Sequence, residues 1–293
     1  MLLLDQILVA TDFSPTSNAA LRHALGIASR CHSTVSLVHV IDAPLYGMAP
    51  DGIAAAVDCA ELETERLINQ LQHEGVLNGS SPELTIRVGP VWQTISNIIC
   101  EQNPGLVVLG THGRPGLPKL VLGSVAEHAF REAPCPVLTV GPHVRGSKTS
   151  GAQAKHFLVP TDLSTESAHA LRYGISLARP AGGEVTLLHV LKVRTGRADE
   201  EAPWTTEIRK QLAEVLERHP DAPTVVTPRM QFGDPASIIV EVAEQMRSDL
   251  IVMGLRAWST DGAPMWRVAY RVVIQARCPV LTMKAPALTA SEP

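Results

Sequence analysis

The strongest constraint in this sequence is that it repeats. Gln6-Ile-Leu-Val-Ala-Thr-Asp-Phe-Ser14 returns after His156 as Phe157-Leu-Val-Pro-Thr-Asp-Leu-Ser164. Ala20-Leu-Arg-His-Ala24 returns as Ala170-Leu-Arg-Tyr-Gly174, and Val35-Ser-Leu-Val-His-Val40 as Val185-Thr-Leu-Leu-His-Val190. These pairs lie 150 positions apart. Gly89 with Gly233 and Gly110 with Gly254 are 144 apart, and the strings Cys135-Pro-Val-Leu-Thr139 and Cys278-Pro-Val-Leu-Thr282 are 143 apart. The shrinking offset means net deletions in the second copy, mostly between Val190 and Gly233. A period this long is a duplicated domain, because solenoid units are far shorter. The 293 residues therefore divide into a first domain over 1–145, a linker over 146–155, a second domain over 156–286 and a tail over 287–293. The stretch from Gly141 to Gly151 is rich in Gly, Ser and charge and lacks apolar periodicity, as a flexible linker does.

Within each copy, short apolar runs alternate with stretches of three- and four-residue apolar spacing. In the first copy this predicts strands over Ile7–Thr11, Val35–Ile41, Leu84–Val88, Leu106–Gly110 and Pro136–Val140. Helices are predicted over Thr16–Arg30, Ile53–His73, Val91–Gln102 and Ser124–Arg131. Ser14-Pro15 reads as a helix entry, a capping hydroxyl followed by a residue whose φ suits the first turn. Runs such as Leu106-Val-Val-Leu109 are apolar on both faces, as buried parallel strands require. The fold class that follows is α/β: two tandem domains, each a five-stranded, mostly parallel, doubly wound sheet with helices on both faces. In such sheets ligands bind beyond the carboxyl ends of the strands, at the switch point.

Composition narrows the partners. Lys and Arg number 25 against 29 Asp and Glu, a formal net charge of −4. That is not the basic face that nucleic-acid binding needs, and 4% aromatic residues are too few for base-stacking platforms. No run approaches the roughly 18 apolar residues of a membrane span. The apolar start at Met1 lacks the basic region of a signal peptide. The five cysteines form no C-x-x-C pair, which fits a reduced, cytoplasmic chain without a zinc site. Four of them stand in apolar or helical contexts that predict buried structural thiols.

The chemistry should stand at the strand ends. The first strand ends in Ala10-Thr11-Asp12, the second in His39-Val40, and the fourth in Gly110-Thr111-His112-Gly113. After Arg114 and a loop containing Lys119, Gly123-Ser124-Val125 opens a helix. The pattern is G-x2-G-x9-G-S. Glycines let backbone N–H groups approach an anion, and a helix N-terminus adds unpaired donors and a favourable dipole. Ser124 adds a hydroxyl. Such spacing describes a phosphate cradle, with Asp12 placed to accept hydrogen bonds from a ribose. The alternative, on glycine spacing alone, is that Gly110 and Gly123 only serve the turns of the fold. Neither a P-loop nor a G-x-G-x-x-G after the first strand is present.

Ala10-Thr-Asp12, Gly89-Pro90, the glycine pattern and the closing Cys135-Pro-Val-Leu strand occur together and in order. In this the chain resembles the universal stress protein family, in its tandem two-domain form, over nearly its entire length. The resemblance implies Rossmann-like (HUP-type) domains and an ATP site, with Mg2+ bridging the phosphates. Carried over by motif, Val40 would meet adenine through its backbone, while Ala10, Thr11 and Asp12 would line the adenosine side. Gly110 would approach the ribose, and Gly113, Arg114, Gly123, Ser124 and Val125 would hold the phosphates. His112 lies inside the motif loop, where it serves either loop packing or a phosphate. Lys119 reads as a solvated charge. The family also implies pairing through the last strand. Here Pro136–Val140 and Pro279–Met283 would join the copies as an intramolecular pseudo-dimer and hide both sheet edges; two chains can then associate as a homodimer.

The second copy keeps Thr161-Asp162, Val190 and Gly254, but Ala257 stands at the Gly113 position, Trp266 at Gly123 and Arg267 at Ser124. An indole in place of a glycine removes the close backbone approach that phosphates require. The second domain is expected to have lost ordinary ATP binding and to be largely structural; Arg256 and Arg267 either hold some other anion or, the preferred reading, face the partner domain.

Two functions remain open. One is a nucleotide-dependent regulator or sensor in a stress response, ATP occupancy altering the first domain's shape or its hold on a signalling partner. The other is a slow ATP hydrolase or another ATP-consuming enzyme on the same fold. Hydrolysis needs a group that positions water and charge stabilisation at the γ-phosphate. Only His112, Arg114 and Asp12 stand near the motif, and Asp12 is committed to the adenosine side. No Ser/His/Asp triad or paired carboxylates can be placed at the strand ends. The regulator is therefore the preferred reading, and weak turnover is compatible with it.

Overall fold

The computed structural model describes residues 4–43, 47–77, 79–111, 122–144, 154–191, 203–218, 226–256 and 266–284. In the first copy β1 (Gln6–Thr11), β2 (Thr34–Ile41), β3 (Glu83–Val88), β4 (Leu106–Gly110) and β5 (Val137–Val140) alternate with helices. These are α1 (Pro15–Cys31), α2 (Pro50–His73), α3 (Val91–Gln102) and α4 (Ser124–Glu132). The second copy repeats the plan with β6 (His156–Thr161), β7 (Glu184–Leu191), β8 (Val226–Phe232), β9 (Leu250–Gly254) and β10 (Val280–Met283). Its helices are α5 (Thr165–Ala178), α6 (Pro203–Glu217), α7 (Pro235–Gln245) and α8 (Trp266–Gln275). The shorter α6, 15 residues against 24 in α2, accounts for much of the drift in the repeat. Ser14 caps α1 as its sequence suggests: its Oγ accepts from Ser17 N at 3.2 Å, and Pro15 opens the first turn.

All ten strands form one sheet in the order β3-β2-β1-β4-β5-β10-β9-β6-β7-β8. Neighbours within a copy are parallel. The copies meet where β5 pairs antiparallel with β10, Leu138 opposite Leu281. Each of those strands would be an open edge in an isolated domain, and pairing them removes both edges. Thr282 Oγ1 donates to Val137 O across the join at 3.3 Å. Lys284 Nζ donates to Arg131 O at 2.7 Å, satisfying a carbonyl at the negative end of α4. Gly141, at the matching position in the first copy, lies against α8 instead; a Cβ there would sit 3.0 Å from Val273 O.

Alternation along the strands sends side chains to two faces. Ile7, Val9 and Leu37 join Phe157, Val159 and Leu187 beneath α1 and α5. Leu8 and Val107 join Leu158 and Val280 beneath α3, α4, α7 and α8. Both apolar layers run on from one copy into the other, so the two halves share their core. Among the described residues no helix is long and apolar enough to cross a membrane.

The cysteines depart from expectation. Cys59 and Cys100 are exposed, Cys31 and Cys135 are half-buried, and only Cys278 is buried. Cys59 and Cys100 lie on the outer faces of α2 and α3, and a helical context alone does not say which face a residue takes. Burial pushes the Cys135 thiol up to about 11 and the Cys278 thiol up to about 12, while the thiolate is the reactive form. A maleimide at neutral pH should therefore modify Cys59 and Cys100 quickly in the native protein and Cys278 only on unfolding. One common rate for all the thiols, read by mass spectrometry over time, would contradict this burial pattern.

Candidate functional site

In the first copy β1 and β4 are neighbours, and the strand order runs outward from them in both directions. Connections leave this pair towards opposite sides, which opens a crevice beyond its carboxyl ends. There β1 passes into α1 through Thr11-Asp12-Phe13-Ser14. Thr11 Oγ1 accepts from Phe13 N at 3.0 Å and donates to Ser17 Oγ at 3.2 Å. Asp12 Oδ1 accepts from Ser14 N at 3.1 Å, an Asx turn. Phe13 takes φ 60°, in the left-handed region. Asp12 is exposed, and among the described residues its Oδ2 has no hydrogen-bond partner. Ala10 and Val40 are half-buried and pack on the core from the strand ends.

Gly110 ends β4 beneath the first turn of α1. A Cβ there would lie 2.9 Å from Ser17 N, so the missing side chain is what lets the helix start so close to the sheet. Gly254 has the same duty in the second copy, where a Cβ would overlap the Glu166 carbonyl. Gly123 is different. Its N donates to Thr111 O at 2.7 Å, and a Cβ would lie 2.7 Å from that same oxygen. It is the N-cap of α4 and makes no side-chain cap bond. The N–H groups of Ser124 and Val125, in the first turn, have no intrahelical partner. Ser124 is exposed and Val125 half-buried. The structure thus brings Ala10, Thr11, Asp12, Val40, Gly110, Gly123, Ser124 and Val125 to one end of the sheet. His112, Gly113, Arg114 and Lys119 lie outside the described residues.

One residue to which the motif reading gives no role also belongs to this end. His39 stands opposite Thr11 in the β1–β2 register, and its Nδ1 lies 2.9 Å from Thr11 O. Its ring centroid is 4.8 Å from that of Phe13. The signal was available: a histidine recurs at the same point of both copies, in Leu37-Val-His-Val40 and Leu187-Leu-His-Val190.

The second copy rebuilds the same turn. Thr161 Oγ1 lies 2.9 Å from Ser167 Oγ and accepts from Leu163 N at 3.0 Å. Asp162, however, is engaged. Its Oδ1 accepts from both Ser164 N and Ser164 Oγ, and its Oδ2 is 3.5 Å from Arg256 Nη1. Burial raises this carboxyl's pKa, but the serine hydrogen bonds and Arg256 outweigh it and hold the group below its ordinary value. Arg256 therefore does not face the partner domain as expected. It follows Gly254 by two residues, which sets it over the β6–α5 turn of its own domain, where Asp162 offers a carboxylate. Arg267 is exposed on α8, whose first residue is Trp266; Ala257 lies outside the described residues.

Fold and site together define a tandem, doubly wound α/β protein in which, among the described residues, Asp162 of the second crevice is engaged by an arginine and Asp12 of the first is not. The universal stress protein family profile matches residues 4–141 and again 153–284, and the chain belongs to that family. A universal stress protein of Mycolicibacterium smegmatis is 27% identical over 293 residues, spanning 95% of this chain and 96% of that one. A universal stress protein of Methanocaldococcus jannaschii is 29% identical over 140 residues, 47% of this chain and 82% of its own. The crystal structure of a universal stress protein from Archaeoglobus fulgidus matches the fold with a TM-score of 0.67 at 20% identity, covering 95% of this chain and 96% of that one.

Proposed function

We propose that this protein is a nucleotide-dependent regulator in a stress response, binding ATP in its first domain and using the second chiefly as structure. Asymmetry between two otherwise matching crevices carries the reading. Among the described residues Asp12 keeps an oxygen open for ribose hydroxyls, whereas Asp162 spends both of its own on Ser164 and Arg256. Gly123 meets Thr111 O where even a methyl would collide, and the second copy has Trp266 at that position.

In this reading Ala10, Thr11 and Asp12 line the adenosine side, Val40 meets adenine through its backbone, and Gly110 borders the ribose. Gly123, Ser124 and Val125 turn backbone N–H groups and a hydroxyl towards the phosphates, with His112, Gly113 and Arg114 on the motif loop. Donors at a helix start suit a polyanion without any need for net positive charge. Among the described residues no group of three or more His, Cys, Asp or Glu could hold a metal ion. Mg2+ would enter with the triphosphate, whose oxygens suit its octahedral shell. ATP spans the β1–α1 turn and the start of α4, so occupancy favours the arrangement in which both are held together. That shift is what a signalling partner would read in the cytoplasm. The working units are residues 1–145 and 156–286, joined by 146–155.

Protein purified and then denatured should release adenine nucleotide detectable by mass spectrometry, and stripped protein should titrate with one ATP per chain. Absence of nucleotide together with no binding in titration would overturn the proposal. Turnover of about 1 s⁻¹ or faster, the low end of typical enzymes, would replace the regulator with an enzyme.

A further inference from the structure

We infer that His39 is a positioning residue for the ATP site, its imidazole fixing the turn that carries Asp12 against the strand that carries Val40. The inference rests on the nucleotide reading above. A carbonyl oxygen only accepts, so the 2.9 Å contact makes His39 Nδ1 the donor to Thr11 O. That carbonyl is the last in β1. Beyond it the chain leaves the sheet and passes through Phe13 at φ 60°, a strained conformation for a residue with a side chain. Hydrogen bonds from Phe13 N, Ser14 N and Ser17 N within residues 11–17 set the form of the turn, and Asn18 Nδ2 donates to Phe13 O at 3.4 Å. His39 links the turn to β2, with a hydrogen bond to Thr11 O and a ring contact to Phe13. It also directly precedes Val40. One side chain thus adds to the β1–β2 ladder in holding the group that would bind ribose against the backbone that would meet adenine.

The duplication supplies an internal control. His189, 150 positions on, lies 2.8 Å from Thr161 O in the same way, although Asp162 beside it is engaged by Arg256. A histidine kept where the carboxylate is already occupied holds the turn; it does not touch ligand.

The test compares ATP, adenosine and inorganic tripolyphosphate, each measured by calorimetry or by competition against bound ATP. His39→Leu removes the donor. It should weaken ATP and adenosine by about three- to tenfold, the span of one net hydrogen bond, and leave tripolyphosphate unchanged. His39→Asn keeps a donor near the Nδ1 position and should restore most of the loss. His39→Gln, whose amide reaches the Nε2 position instead, should behave like His39→Leu and serves where the leucine variant does not fold. His189→Leu should change none of the three affinities. Unaltered ATP and adenosine binding in the His39 variants would overturn the inference, and so would equal weakening of all three ligands, which marks general loosening. Wild-type protein that binds no nucleotide would overturn the underlying reading instead, and that result is known before any variant is made.

Discussion

Replacing Gly123 with tryptophan, the residue that the second copy carries at this position, should weaken ATP binding by at least about a hundredfold. The cause is local. Gly123 N and the position of its absent Cβ both lie 2.7 Å from Thr111 O. A side chain must therefore push the start of α4 away from the end of β4 or turn the Thr111 carbonyl. Either movement withdraws the N–H groups of Ser124 and Val125 from the place where phosphate oxygens would sit. Hydrogen bonds to charged groups contribute about 1.5–3 kcal/mol each, and two of them lost exceed the roughly 2.7 kcal/mol that a hundredfold change requires. Gly123→Ala should fall between wild type and Gly123→Trp, because a methyl meets the same oxygen with less bulk to place. Titration calorimetry gives the affinities, and a melting curve shows whether each variant is folded. A folded Gly123→Trp protein with retained affinity would move the phosphates elsewhere.

The fold was legible because it is stated twice. Leu106-Val-Val-Leu109 and its neighbours are apolar on both faces, and each run recurs at a fixed distance from the same flanking turns. The join between the copies was implied by the family resemblance, which pairs last strands, and the recurring Cys-Pro-Val-Leu strings located those strands. The site was legible only where a residue type carries the chemistry by itself. Gly123 could be recognised because glycine spacing signals close backbone approach. The roles of His39 and Arg256 could not, because both depend on register. His39 matters through the carbonyl that β1 sets opposite it, and Arg256 through the carboxylate that the β6–α5 turn brings within 3.5 Å. Gly110 shows the converse: its place in the motif suggests ribose, while its immediate neighbour is the first turn of α1.

Acid should loosen this protein before its carboxylates titrate, and His23 should be the main reason. His23 lies on α1, at the position that Tyr173 takes on α5, and is half-buried. Burial lowers its pKa from 6.5 to about 4, with the Asp249 carboxylate of the other copy opposing the shift only in part. The folded state therefore keeps the ring neutral where the unfolded chain takes up a proton. Stability is fully present above about pH 6.5, falls as the pH drops towards 4, and has lost this contribution below that. A shift of this size corresponds to about 3 kcal/mol, and residual water contact trims it to roughly 2–3 kcal/mol. His169, also lowered by burial with Arg172 adding to the effect, acts in the same direction. Asp234 titrates in a separate, more acidic window: hydrogen bonds from Arg271 and Ser237 bring its carboxyl down to about 2. Urea unfolding measured from pH 7 to pH 4.5 should show wild type losing stability steadily, and His23→Gln should flatten most of that slope whatever its absolute stability. Parallel slopes for the two proteins would assign the acid sensitivity to other groups. A flattened slope would place the titrating ring on α1, the helix whose first turn closes over Gly110 and whose entry carries Asp12.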